Sequence, residues 1–142
     1  MAKKESHMLH NLTQYAITPV VLMVVAMSIY PNLNQWDILA VTIFGSMFPD
    51  IDHINIWLEY KFKDFEAFVK FLTQARRYRY SFLMFHNVVF IIVLLIILPF
   101  SAMTEPFAGI FVGSVIVHLL LDLVDDWLSI GRLTHWRYRR RT

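Results

Sequence analysis

Phe82 to Phe100 reads FLMFHNVVFIIVLLIILPF, a run broken by only two strongly polar side chains, His86 and Asn87. A helix that crosses a hydrocarbon core of about 30 Å needs about 20 such residues. Placed in a water-soluble fold of this length, the run would have to be covered on every side. The chain has 142 residues, 57% of them hydrophobic and 17% charged, so it lacks the polar surface to do the covering. The expectation is an all-α polytopic membrane protein.

Three further apolar segments lie along the chain, and together they give spans of about 9–30, 36–54, 82–100 and 107–127. They predict a four-helix transmembrane bundle forming a single membrane-embedded domain over 1–142. Leu9 to Tyr30 is followed by no small-residue cleavage site, so it reads as a retained helix rather than a signal peptide. The first span is shorter in strictly apolar residues but is extended by Leu9 to Gln14, whereas the uniformly apolar part of the second ends near Phe48. Pro49 follows Phe48 there and makes a short or broken helix the expectation. Between spans two and three, residues 57–79 mix aromatic and basic side chains. Phe62, Phe65, Phe68, Val69 and Leu72 recur at helical spacing beside Lys61, Lys63, Lys70, Arg76 and Arg77, the pattern of a basic helix lying in the membrane interface.

The formal charge of +2 hides a segregation of the basic residues. Lys3 and Lys4 precede the first span, six Lys or Arg lie from Lys61 to Arg79, and five lie from Arg132 to Arg141. The two short connections carry none. Basic residues near span ends stay on the cytoplasmic side, so both termini and the middle loop are expected there, with an even number of spans. The terminal RYRRR follows a membrane helix directly and is explained by orientation and anionic lipid headgroups, with no nucleic-acid partner implied.

That topology puts seven ionisable residues in one leaflet: His10, Asp50, Asp52, His53, His86, His118 and Asp122. An ionisable side chain in lipid costs about 3 kcal/mol unless it is paired. His118 and Asp122 are four apart and share a helix face, which lets both reach one ion or each other. Each piece also has a plain structural reading: an intrahelical hydrogen bond for His118 and Asp122, a turn cluster for Asp50 and Asp52, an interfacial side chain for His86. Their confinement to one side favours a metal site. With no cysteine in the chain, the donors are imidazole and carboxylate, which suit Zn or Mn and permit two ions.

GSMFPDIDH at 45–53, an Arg-rich stretch before His86, and HLLLD at 118–122 followed by Gly131 resemble the bacterial and archaeal inner-membrane metal-dependent hydrolases, some of them LexA-regulated. The resemblance covers most of the chain. It implies an integral membrane protein whose metal ligands fall on His10, Asp50, Asp52, His53, His86, His118 and Asp122. The chain departs from that pattern at Met84-Phe85-His86-Asn87, where the family usually carries a Thr-His-Ser-like triplet.

The function expected on these grounds is metal-dependent hydrolysis near the cytoplasmic headgroup layer, on a phospholipid or lipid-linked phosphate. Asp50 or Asp52 would serve as general base, with Arg77 and Arg79 neutralising phosphate charge. The competing reading keeps the metal and drops the catalysis, giving a transport, sensing or structural membrane subunit. Membrane lipid is the expected partner, and a homo-oligomer is compatible with the sequence.

Overall fold

Prolines and asparagines punctuate the apolar runs and set where each helix begins and ends. The computed structural model describes residues 16–72 and 83–130, in which every regular element is helical. Helix α1 is Thr18–Ile29, with a proline in its first turn, where a missing N–H leaves no bond unmade. Asn34 is extended and its side chain accepts the Trp36 N–H at 2.8 Å, which starts α2 at Gln35–Met47. Pro49 has no N–H to return to Gly45, so the α-helical ladder stops there. A 3-10 turn over Phe48–Asp52 follows, then α3 at His53–Tyr60. The segment expected as one span over 36–54 is therefore divided among three elements.

The middle loop also departs from expectation. In place of one interfacial helix over 57–79, α3 ends at Lys61, a left-handed residue (φ 51°) whose N–H donates to the Trp57 carbonyl at 2.9 Å. Helix α4 then runs over Phe65–Leu72, capped by Asp64, whose side chain accepts the Ala67 N–H at 2.7 Å. Phe62 and Phe68 turn inward rather than forming an outward stripe. Their rings lie 5.5 Å apart, Phe68 meets Trp57 edge-on at 5.0 Å, and Phe68 is buried together with Ile56 and Leu83. Phe65 alone of the three stays exposed.

Helix α5 is Val88–Thr104 and begins later than the apolar run does. Asn87 is extended and its side chain accepts the Val89 N–H at 2.8 Å, so the helix starts after His86 and leaves that residue in the bend before it. Glu105 separates α5 from α6, Pro106–Ile130. Among the described residues one helical stretch, Pro106–Asp125, is by itself long and apolar enough to cross a membrane; Thr18–Ile29 and Val88–Thr104 are apolar but shorter.

Two apolar seams hold the helices together. Ala26 of α1, Ile38 of α2 and Ile110 of α6 form one, and Ile91 and Leu94 of α5 with Val112, Val115, Ile116 and Leu119 of α6 form the other. Close approach of backbones depends on two glycines. A Cβ on Gly45 would stand 2.7 Å from Ser114 Cβ and 2.9 Å from the Phe111 carbonyl oxygen; one on Gly109 would stand 2.7 Å from Ala102 Cα. Small residues serve this purpose between helices in lipid, where packing replaces the hydrophobic effect as the cohesive force. Ile38 meets Ile110 and Gly45 meets Ser114, so α2 and α6 run parallel, while Gly109 against Ala102 and Gly113 against Leu98 make α5 antiparallel to α6. The Tyr30 hydroxyl donates to the Ala102 carbonyl at 3.3 Å and ties the two short connections at one end. The chemistry sits at the other.

The outer faces are apolar. Val21, Val24 and Ile29 of α1 and Val89, Ile92, Ile96 and Phe100 of α5 are all exposed. A helix apolar on every side belongs in a protein interior or in lipid, and these are not covered by protein.

Candidate metal centre

Three stretches distant in sequence converge at the end of α2. The 3-10 turn brings Asp50, the bend before α5 brings His86, and one face of α6 brings His118 and Asp122. One donor atom from each of these four lies within 4.8 Å of all the others. His86 Nε2 is 2.9 Å and His118 Nε2 is 3.1 Å from the same oxygen, Asp122 Oδ2. Asp50 Oδ1 stands farther back, 3.7 Å from His118 Nε2 and 4.0 Å from His86 Nε2.

These spacings can be compared with what an ion requires. Four ligands at bond lengths of about 2.0–2.1 Å in a tetrahedron are about 3.3 Å from one another. Asp122 Oδ2 already stands near that edge length from both His86 Nε2 and His118 Nε2, and Asp50 lies just outside it. The donor set could hold a metal ion, since imidazole and carboxylate are both metal ligands.

Burial is graded across the site. The His118 side chain is 0% exposed, Asp122 17% and Asp50 25%, so the cluster is sealed by α6 and opens beside Asp50. Three carboxylates, Asp50, Asp52 and Asp122, gather around the imidazoles here. Negative charge concentrated at an apolar bundle end is costly unless a cation compensates it.

Asp52 and His53 stand around this group rather than in it. Asp52 is buried beside His86, with Oδ1 and Oδ2 3.1 and 3.2 Å from Nδ1, the ring nitrogen that faces away from Asp122. Asp52 Oδ2 also accepts the main-chain N–H of Phe85 at 2.9 Å and that of His86 at 3.4 Å. His53 Nδ1 is 3.1 Å from Asp50 Oδ1, and its ring lies 5.0 Å from that of His86 on the open side. Asp52, His53 and His86 form a second group with metal-ligand spacing.

Of the residues singled out from sequence, Asp50, His86, His118 and Asp122 come together and Asp52 and His53 adjoin them; His10, Arg77 and Arg79 lie outside the described residues. Sequence reading missed two contributors: the Phe85 amide that holds Asp52, and Gly45, which lets α2 close on α6. An asparagine directly before a β-branched apolar run, as at Asn87, was the available sign that His86 sits in a bend.

No curated protein and no solved structure matches the chain. The profile of the YdjM inner membrane protein family matches residues 9–127, a stretch that contains the whole cluster, and the chain belongs to this family of inner-membrane proteins.

Proposed function

We propose that this chain is a membrane-embedded, metal-dependent hydrolase working at the cytoplasmic headgroup layer, with four passes and both termini cytoplasmic. The observation that supports it is the meeting of two imidazoles and two carboxylates from three separate stretches within 4.8 Å. His86, His118 and Asp122 form the compact part of the set, while Asp50 stands back on the exposed side. Catalytic zinc sites use three protein ligands and leave a fourth position for water, whereas structural sites are closed by four. The displaced Asp50 favours the former.

A bound divalent ion would supply an acidified water and Lewis acidity toward a phosphoryl oxygen. Asp50 Oδ1 is placed to orient that water and take its proton, and His53, 3.1 Å from the same oxygen, is placed to receive the proton and carry it to the open side. His118 and Asp122 fix the depth of the site in the bundle. Arg77 and Arg79 are the cations assigned to the phosphate. The substrate class is a phospholipid or lipid-linked phosphate, because the site opens at a bundle end whose flanks expose apolar side chains such as Ile54 and Val124.

Asp50→Asn tests the reading on the full chain, loaded with Zn or Mn and offered anionic phospholipid vesicles. The expected variant keeps its ion and loses about 100-fold or more in phosphate-ester cleavage, the contribution of a positioned general base. A wild type that holds stoichiometric metal and cleaves neither phospholipid nor lipid-linked phosphate would support the binding-only alternative instead. Topology has its own test, made clean by the absence of native cysteine. Cysteines at Asn34 and Thr104 should react with an impermeant maleimide in intact cells, and one at Asp64 only after lysis. Labelling of position 34 only after lysis would contradict four passes.

A further inference from the structure

Each ring nitrogen of His86 faces a carboxylate, and the two carboxylates are held differently. Asp122 Oδ2 is shared between His86 Nε2 and His118 Nε2, on the side where the four donors converge. Asp52 is nearly sealed, its side chain 2% exposed, and Oδ2 is occupied by the main-chain N–H groups of Phe85 and His86. Oδ1 and Oδ2 stand 3.1 and 3.2 Å from His86 Nδ1. An imidazole that ligates through Nε2 must carry its proton on Nδ1, and a carboxylate is an acceptor only. Asp52 can therefore meet Nδ1 only when that nitrogen bears the proton, and the proton that Nε2 shares with Asp122 Oδ2 at 2.9 Å is the one an ion would replace.

We propose that Asp52 is a positioning residue and not a metal ligand: it holds His86 in the Nδ1–H form so that Nε2 presents its lone pair to one ion shared with His118 and Asp122. The inference rests on the metal-centre reading above and settles a choice within it. The other grouping, Asp52 with His53 and His86, would place a second ion on Nδ1 and displace that proton. Asp52 would then have to ligate through Oδ1, with the ion taking the place of the hydrogen bond that joins this oxygen to Nδ1. Outer carboxylates that orient a ligating histidine are a general feature of metal sites, and losing one weakens binding about 10- to 100-fold.

The Asp52→Asn variant discriminates because the backbone dictates how the amide sits. The main-chain N–H groups of Phe85 and His86 require an acceptor at the Oδ2 position, so the asparagine oxygen goes there and its NH2 takes the place of Oδ1. That NH2 cannot accept from His86 Nδ1, so the Nδ1–H form is left with the Oδ2 position, 3.2 Å away and already shared by two main-chain donors, as its acceptor. The fold is kept and the hold on the Nδ1–H tautomer is weakened.

The experiment is Zn2+ titration against a chromophoric chelator, on the purified full chain in detergent, for wild type, Asp52→Asn, Asp52→Glu and His118→Ala. It is read together with 15N spectra of histidine-labelled, zinc-loaded protein. The expected wild type binds one Zn2+, with His86 Nδ1 carrying a proton. Asp52→Asn should bind one Zn2+ about 10- to 100-fold more weakly with unchanged helicity, and Asp52→Glu should recover most of the loss. Wild-type affinity in Asp52→Asn, or a fall from two bound ions to one, overturns the role given to Asp52 while leaving the metal centre in place. A wild type that binds no Zn2+, indistinguishable from His118→Ala, removes the metal centre and this inference with it.

Discussion

His118→Ala is expected to strip the divalent ion from the protein, with affinity for Zn2+ falling more than about 100-fold, beyond what loss of an outer-sphere partner costs. His118 is fully buried, and its Nε2 is 3.1 Å from Asp122 and 3.7 Å from Asp50, so it is the donor around which the carboxylates gather. Alanine there leaves those carboxylates facing an apolar void with one imidazole in place of two. Binding to the folded state alone stabilises by about 2.7 kcal/mol when the ion is present at 100 times its dissociation constant. The melting temperature of the wild type should therefore drop on adding a chelator, and that of His118→Ala should not move. The comparison is internal to each variant, so any direct packing loss from the smaller side chain cancels. Equal chelator-induced shifts in the two proteins would exclude His118 as a ligand.

Gly45→Leu is the second large effect, and it acts at a distance. The Cβ of any residue at 45 would meet the Phe111 carbonyl oxygen at 2.9 Å, a backbone atom inside α6 that cannot rotate away. The leucine forces α2 off α6, at a cost of about 1–3 kcal/mol for overpacking. Asp52, which positions His86, lies seven residues farther along the same chain, in the turn that α2 carries, so the displacement is passed to the donor cluster. Ligand positions in a metal site tolerate about 0.2 Å. Zn2+ affinity should fall at least about 10-fold together with the melting temperature, whereas Met47→Leu, on the exposed side of α2, should change neither. A Gly45→Leu protein of wild-type stability and affinity would refute the close approach of α2 and α6.

Helices were legible in the sequence because apolar runs of this length have few other uses, and the donor residues were legible because ionisable groups are rare among such runs. Helix limits were not. Leu83 to Phe85 continue the hydropathy of α5 without a break, yet the Asn87 cap excludes them from it, and only the cap places His86 where Asp52 can reach it. Residues 57–79 read as one amphipathic helix because spacing alone cannot show that Lys61 adopts a left-handed turn, nor that Phe62 and Phe68 prefer each other and Trp57 to lipid. The division of labour among the acidic residues was likewise beyond a sequence reading. Asp50 and Asp52 are two apart and chemically identical; what separates them is the 3-10 turn, which points one toward His118 and the other toward the Phe85 amide.

The pairing of His118 with Asp122 on α6 carries a consequence for how such a bundle reaches its final state. Slipping α6 by one residue turns it by about 100°, which would carry both donors away from Asp50 and His86 at once. Between apolar helices in lipid, alternative rotations differ little in packing energy, because one leucine face resembles the next. The donor cluster is complete in one of those rotations. In the proposed metal centre, ion capture would serve as a proofreading step, selecting the correctly turned helix from neighbours that the greasy contacts alone discriminate poorly.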